Sequence, residues 1–238
     1  MGETPDFSFL PFAAQMYIYA FCKTPESSLE MPRGIAGSVQ LVGNDQVSAL
    51  VELEIDLEKI QAQDDQLLQA VLAHDRTTCE LFEQTTILPL RFGTFVLSEE
   101  RLKEHLETQK IDYLTKLTWL EDKAEYTLKL TPVEFPDATI APNITGKQYF
   151  LAKKQQYQAQ QAQQQQQQTE WEMLVQTIAH SYPNPFISKS QDDAPQRIYL
   201  LVNRQEEALL MQHLQEWQND CACWQLQLGE ALPPYHFV

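Results

Sequence analysis

The spacing of apolar residues changes along this chain, and the change limits the folds that the chain can adopt. An uninterrupted apolar run, MYIYAFC, extends from Met16 to Cys22, which predicts a strand buried on both faces. The runs SVQLV and VSALVELEID flank a Gly43-Asn44 turn signal. In the second run apolar and mostly polar residues alternate, which predicts a hairpin with one buried face. From Asp64 the apolar period becomes about 3.6, so a helix is expected to follow these strands.

Strands and helices continue to alternate through the first half of the chain. The predicted first helix carries an apolar stripe of Leu67, Leu68, Val71, Leu72, Cys79 and Phe82. A short strand over residues 86–90 follows, and Ser98 is a suitable N-cap for a second helix. The stripe of that helix is Leu102, Leu106, Tyr113, Leu117 and Leu120, and a further strand covers residues 126–131. This order predicts an α+β fold in which an antiparallel sheet is covered by helices, ferredoxin-like in character.

The second half begins after a proline-containing linker, residues 132–142. A long helix is predicted over about 147–179, since glutamine and alanine are good helix formers. Because 11 of the 14 residues from Gln155 to Gln168 are glutamine, an unstructured low-complexity linker between domains is the alternative. Strands at 186–189, 198–202 and 222–228 and a helix at 205–219 complete a smaller α+β region. We therefore predict two tandem domains, residues 1–135 and 136–238.

The charge of the chain is strongly acidic and unevenly distributed. The net charge is −16, and residues 1–142 contain 24 acidic and 11 basic side chains. This balance argues against nucleic acid and against an anionic lipid membrane as partners. The apolar stretch from Phe7 to Cys22 is interrupted by Pro11 and Gln15 and follows acidic residues, so neither a secretory signal nor a membrane span is expected. The expected location is the cytoplasm.

No stretch of the sequence carries a nucleophile elbow, a phosphate-binding glycine loop or zinc-ligand spacing. We therefore predict no catalytic residues, no cofactor and no metal. His213, Cys221 and Cys223 could together offer three ligands to a metal. The favoured interpretation is that the two cysteines are small apolar residues near the end of a strand. Glu52, Glu54 and Asp56 are spaced by two along a strand, which predicts a solvated face, with a cation site as the alternative.

His74 and Asp75 are unusual because they fall near the apolar stripe of the first helix. A charge at such a position needs a partner, and Arg91 on the following strand is the nearest candidate. We predict a buried or half-buried Asp75–Arg91 ion pair that holds helix against sheet. Catalysis by His74 as a general acid or base is the alternative.

Several stretches together resemble one known family, the gas vesicle protein F/L family. They are YIYAFC, HDRTTCELFEQTTILPLRFGTFV at 74–96, LTKLTWLEDKAEYTLKL at 114–130, ITGKQYFLAKKQ at 144–155, RIYLLVN and the closing PPYHFV. The structural and interaction candidates in these stretches are His74, Asp75, Arg91, Phe92, Gly93, Thr94, Lys123, Glu125, Pro233, Pro234, Tyr235 and Phe237. We expect the two prolines to pin the tail, with Tyr235 and Phe237 as anchors.

The resemblance implies two ferredoxin-like α+β domains and an accessory or minor structural role in gas vesicles without catalytic activity. Its expected partners are the hydrophobic major shell protein and other gas vesicle proteins, and its expected location is the gas vesicle inside the cell. A soluble acidic domain with an apolar groove or an open sheet edge is suited to binding such a shell protein. Two rival functions remain open: a small-ligand-sensing regulatory module, and a hydrolase that uses His74.

Overall fold

The computed structural model describes residues 15–53, 55–56, 60–133, 146–188 and 195–238. The chain divides into two compact units, residues 1–123 with 232–238 and residues 124–231. The predicted linker at 132–142 lies mostly outside the described residues.

The first unit is built on a sheet with β1 (Met16–Lys23) in its interior. The strand order is β2-β3-β1-β4, where β2 is Gln40–Gly43, β3 is Val47–Leu53 and β4 is Ile87–Pro89. A short strand β5 (Phe95–Val96) also pairs with β1, and all of these pairings are antiparallel. Because β1 has neighbours on both sides and is buried on both faces, it can be apolar throughout, as predicted.

The hairpin β2–β3 forms at the predicted turn, where the Asn44 side-chain oxygen accepts hydrogen bonds from the backbone N–H groups of Gln46 and Val47. The prediction of a single buried face was wrong. Ser48 and Glu52 are buried as fully as Val47 and Val51, while Leu53 is exposed. The cause is loop 33–38, which covers the side of β3 on which Glu52 lies.

Helix α1 (Asp64–Gln84) begins where predicted, but it buries a different face. The buried residues are Ala70, His74, Thr77, Thr78, Leu81 and Phe82. Leu68 and Leu72, which were assigned to the apolar stripe, are 60% and 59% exposed. The helix packs against β1 and β4. Phe82 of the predicted stripe is buried there, but so are small and polar residues, so apolar periodicity located only part of the packed face.

Helix α2 (Glu99–Leu120) matches its prediction closely. The Ser98 side chain accepts a hydrogen bond from Arg101 N, which is the expected N-cap. Leu102, Leu106, Leu117 and Leu120 are buried and Tyr113 is half-buried. These leucines help to place α2 against β1–β4.

The second unit contains a sheet in the order β7-β8-β6-β9. These strands are β6 (Lys123–Pro132), β7 (Phe186–Ser188), β8 (Gln196–Asn203) and β9 (Trp224–Leu228). The pairs β7–β8 and β6–β9 are antiparallel. The helices are α3 (Lys147–Ser181) and α4 (Glu207–Asp220), and α4 follows one 3₁₀ turn.

Helix α3 runs through the whole glutamine tract, and only its C-terminal part is docked. Leu174 and Ile178 are buried, and the buried Glu170 carboxylate accepts a hydrogen bond from Cys223 N at 2.7 Å. The Trp224 indole donates to Gln167 O at 3.1 Å. None of residues 147–168 is buried.

The two compact units do not follow the predicted boundary at residue 135. Strand β6 was assigned to the first domain, yet it pairs with β9 in the sheet of the second unit. The C-terminal tail was assigned to the second domain, yet residues 232–238 belong to the first unit. Strand pairing decides the assignment of β6, because a strand joins the sheet that satisfies its backbone hydrogen bonds.

Candidate functional site

The segment from Leu90 to Thr94, which joins β4 to β5, is fixed by a buried tyrosine–histidine pair. His74 Nε2 lies 3.1 Å from Leu90 O, which can only accept, so Nε2 carries the proton. The other ring nitrogen, Nδ1, then accepts from the Tyr17 hydroxyl at 2.7 Å. Gly93 N in turn donates to the Tyr17 hydroxyl at 3.3 Å. One buried pair thus holds both ends of this loop.

Further backbone hydrogen bonds fix both ends of the same loop to β1. Leu90 N donates to Tyr19 O at 2.9 Å, and Ile18 N donates to Thr94 O at 3.0 Å. Within the loop, the Thr94 hydroxyl donates to Arg91 O at 2.7 Å. Gly93 has a φ of 86°, a left-handed conformation that favours glycine. The backbone that presents Arg91 is therefore well defined.

A second buried cluster centres on Glu52, which is 1% exposed. Its carboxylate accepts from the Tyr19 hydroxyl at 2.5 Å, from Ile35 N at 2.8 Å, from Ala36 N at 2.7 Å and from Gly37 N. A Cβ on Gly34 would overlap this carboxylate, so the loop can approach it only with glycine there. Glu52 thus holds the loop at 34–37 against the sheet.

An open groove of about 520 Å³ lies beside the fixed loop, within the first unit. Its apolar and aromatic walls are formed by Phe21, Leu88, Pro89, Leu90, Tyr113, Tyr235 and Val238. The Phe21 and Tyr113 rings are stacked, with centroids 4.7 Å apart. An adjoining hollow of about 570 Å³ shares Phe21, Leu90, Thr94 and Tyr113 and continues along α2. The first unit therefore has an open groove in which the half-buried rings of Tyr113 and Tyr235 face solvent.

Two cations lie in the lining of the groove, although the unit is acidic. They are Arg91 and Lys116. Lys116 pairs with Asp112 on the same helix at 3.1 Å. Arg91 is exposed and forms no ion pair with another described residue. Its guanidinium is available to an acidic group of a binding partner.

The predicted Asp75–Arg91 ion pair was wrong. Both side chains are exposed, and the ion pairs among the described residues do not include this one. The buried residue at this turn of α1 is His74, with a hydrogen-bond partner at each ring nitrogen. Helix and sheet are joined by these neutral hydrogen bonds.

The other sequence-predicted residues fall into three groups. The structure brings His74, Arg91, Phe92, Gly93 and Thr94 together at the fixed loop, and Phe92 lies edge-on to His74 at 5.8 Å. Tyr235 lines the groove, Pro233 and Pro234 are buried, and Phe237 is half-buried. Lys123 and Glu125 lie elsewhere, at the start of β6. Lys123 Nζ lies 5.0 Å from the Trp119 ring centre, and Glu125 is buried.

Burial favours the neutral forms of His74 and of the Cys22 and Cys79 thiols. Both nitrogens of His74 are engaged, and burial lowers the pKa of His74 below its usual value. Burial raises the pKa of the Cys22 thiol to about 12 and that of Cys79 to about 11, so these thiols are protonated at neutral pH. No three His, Cys, Asp or Glu side chains are close enough to hold a metal ion in the part of the chain that the structure describes. His213 instead lies 2.9 Å from the Tyr182 hydroxyl.

Sequence reasoning missed Tyr17, Tyr19 and Glu52. Alternation along β3 placed Glu52 on a solvated face, because nothing local shows that a loop covers it. A usable signal lay in the run MYIYAFC, since two tyrosines in a fully buried strand require partners for their hydroxyl groups.

Comparison with known proteins identifies what the chain resembles. The profile of the family described as gas vesicle synthesis protein GvpL/GvpF matches residues 15–238. The crystal structure of the gas vesicle protein GvpF from Anabaena sp. PCC7120 superposes with a TM-score of 0.68 at 16% identity, covering 94% of this chain and 95% of that one. The crystal structure of GvpF from Microcystis aeruginosa gives a TM-score of 0.65 at 17% identity, with 94% and 98% covered. No curated protein sequence matches the chain.

Proposed function

Because the chain belongs to the GvpL/GvpF family of gas vesicle synthesis proteins, we propose that it assists shell assembly by binding the hydrophobic major shell protein. The groove beside the fixed loop is the proposed binding site. The observation that carries this proposal is an open groove with aromatic walls whose lining includes Arg91, a cation without an ion pair to another described residue, on a unit of net negative charge.

The groove has the properties that a site for an apolar protein segment needs. Tyr113 and Tyr235, which are half-buried, supply apolar contact area with few rotatable bonds. The hydrogen bonds of Tyr17 and His74 fix the adjoining loop before a partner arrives, which lowers the entropy cost of binding. Arg91 would orient the partner through an acidic side chain.

The charge of the first unit supports the same role. A client with large apolar surfaces tends to aggregate, and a strongly acidic carrier keeps the complex dispersed. No helix among the described residues is both long and apolar enough to cross a membrane.

A role without catalysis is part of the proposal. The most promising catalytic candidate, His74, uses both ring nitrogens to hold neighbouring groups and has no position left for a substrate. A role for His74 in fixing the loop accounts for its burial without any reaction.

Binding of purified major shell protein to the full chain tests the proposal. We expect Arg91→Glu to weaken capture by about tenfold or more, because an anion would then face the acidic group of the client. Arg197→Glu is the matched control, since Arg197 is also exposed but lies on β8 of the other unit. Equal binding by the two variants would show that the groove is not the site. Absence of binding by the unmodified chain would overturn the proposed function itself.

A thermal-shift screen with small metabolites separates this function from ligand sensing. The groove volume is in the range of small-molecule sites, so a large shift with one metabolite class would favour the regulatory alternative.

A further inference from the structure

The N-terminal two-thirds of α3, residues 147–168, forms an exposed helical segment that we call the arm. It contains three lysines and no acidic residue, in a chain of net charge −16. Phe150 is 79% exposed, Leu151 52% and Tyr157 61%. An apolar and basic surface of this kind on an acidic protein suggests that it has a binding partner.

Four exposed residues of the arm form one stripe. Lys147, Phe150, Leu151 and Lys154 are spaced three, four and seven residues from the first, so they lie on one side of the helix. We call these four residues the arm stripe. Neither lysine of the stripe forms an ion pair with another described residue. The arm stripe is therefore an apolar pair with an unpaired cation at each end.

Helix α1 carries a surface of the opposite charge pattern. Leu68, Val71 and Leu72 are exposed and lie three or four residues apart. Asp64 precedes them and Asp75 follows them, and neither forms an ion pair with another described residue. We call these five residues the α1 face. It is an apolar group with an anion at each end.

We infer that the arm stripe of one molecule binds the α1 face of a second copy of this chain. Side-by-side helix packing would place Phe150 and Leu151 against Leu68 and Leu72. The end charges are separated by about 10 Å on the arm and about 16 Å on α1, a difference that flexible lysine side chains can span. Apolar contact and both charge pairs then form together.

The contact joins two different surfaces, so it does not close on itself as a two-fold dimer does. After one contact, the copy that used its arm keeps a free α1 face and the copy that used its α1 face keeps a free arm, so further copies can add in rings or open chains. The interface is small, so association is expected at high protein concentration and should weaken as salt screens the charges. This inference does not depend on the shell protein or on the groove.

Sedimentation of the full chain over a range of concentrations tests the inference. We expect concentration-dependent association that drops by about tenfold or more in the double variant Lys147→Asp, Lys154→Asp. The double variant Asp64→Lys, Asp75→Lys should show the same loss. Lys153→Asp is the control, because Lys153 lies off the stripe, 5.9 Å from the Tyr149 ring centre. All of these side chains are exposed, and melting curves check that the variants are folded.

Mixing the two double variants gives the decisive result. Neither should associate alone, but their reversed charges complement each other, so the mixture should associate as the unmodified chain does. A monomeric unmodified chain at every concentration, or a mixture that fails to associate, would overturn the inference. A third result would also overturn it: the double variant Lys147→Asp, Lys154→Asp associates with itself as the unmodified chain does but loses binding to vesicles of equimolar phosphatidylglycerol and phosphatidylcholine. The arm would then be directed to a membrane.

Discussion

Two buried polar side chains, His74 and Glu52, shape the loops of the first unit. His74 acts as a neutral ring that donates to Leu90 O and accepts from Tyr17. Glu52 acts as an acceptor for three backbone N–H groups and one hydroxyl. Buried polar groups of this kind are stabilising only while every partner remains in place. Each therefore gives a stability prediction.

For His74 we predict that stability falls as the pH drops below about 6.5. Burial lowers the pKa of His74 in the folded state, and it outweighs the neighbouring Asp75, which acts in the opposite direction. The unfolded chain therefore takes up a proton at a higher pH than the folded chain. The contribution of His74 to the free energy of unfolding is fully present above its unfolded pKa and is lost as the pH falls through its folded pKa. The free energy of unfolding then changes by at most about 1.4 kcal/mol per pH unit. Denaturant midpoints across this pH range measure it.

The variant His74→Gln is the control for this pH dependence. It should be less stable at neutral pH, yet its stability should change less between neutral and mildly acidic pH. An unchanged slope would assign the pH dependence to other groups.

For Glu52 we predict that Glu52→Gln costs about 3 kcal/mol of unfolding free energy. The amide NH₂ would face backbone N–H donors, so at least one buried donor would lose its acceptor. Urea unfolding measures the loss. Glu107→Gln, on the surface of α2, is the matched control and should change stability by less than about 0.5 kcal/mol. Equal effects would contradict the role assigned to Glu52.

At the scale of elements, the closing tail belongs to the unit formed by the start of the chain. Pro233 and Pro234 are buried, and the turn is closed by Tyr235 N, which donates to Pro233 O at 2.8 Å. Tyr235 and Val238 also form part of the groove wall. The tail thus contributes both to the packing of the first unit and to the proposed binding surface.

Deletion of residues 233–238 should lower the melting temperature by several degrees. Removing two buried prolines and a half-buried tyrosine loses apolar burial of about 2–3 kcal/mol, and each kcal/mol corresponds to about 2–4 °C in a chain of this size. Calorimetry of the full chain, of this deletion and of a deletion of Val238 alone measures the effect. Equal melting of all three proteins would show that the tail does not stabilise the unit.

At the scale of the whole molecule, the two units interleave along the chain. The first unit needs its tail from the end of the sequence, and the second unit begins at residue 124. A cut at the predicted boundary of 135 therefore damages the first unit and separates β6 from β9. Most of the net negative charge of the chain lies in the first unit.

Fragments test this division. Residues 124–231 should fold cooperatively, because they contain all four strands of their sheet and both helices. Residues 1–135 should aggregate, because Tyr126, Leu128 and Leu130 of β6 would lose the sheet that buries them. Circular dichroism melting and light scattering compare the two. A stable, monomeric 1–135 fragment would contradict the assignment of β6.

The class of fold and the position of most elements follow from local signals in the amino-acid sequence. The α+β class with antiparallel sheets is confirmed, and the ferredoxin-like detail stays a prediction. The run MYIYAFC, the Gly43-Asn44 turn, the Ser98 cap and the leucine stripe of α2 are local signals, which depend on neighbours within a few residues. The family resemblance is confirmed for the same reason: it rests on ordered stretches that can be read directly from the chain.

The burial of polar residues, and the unit that β6 and the tail join, depend instead on contacts between distant parts of the chain. Glu52 lies in an alternating strand, and only the distant loop at 34–37 makes it a buried acceptor. Leu68 and Leu72 have helical spacing, yet the side of α1 that packs is set by Tyr17 and Leu90 through His74. Strand β6 and the tail likewise change units because their partners are far away in sequence. Periodicity records local geometry, whereas these placements depend on long-range contacts that one sequence does not reveal.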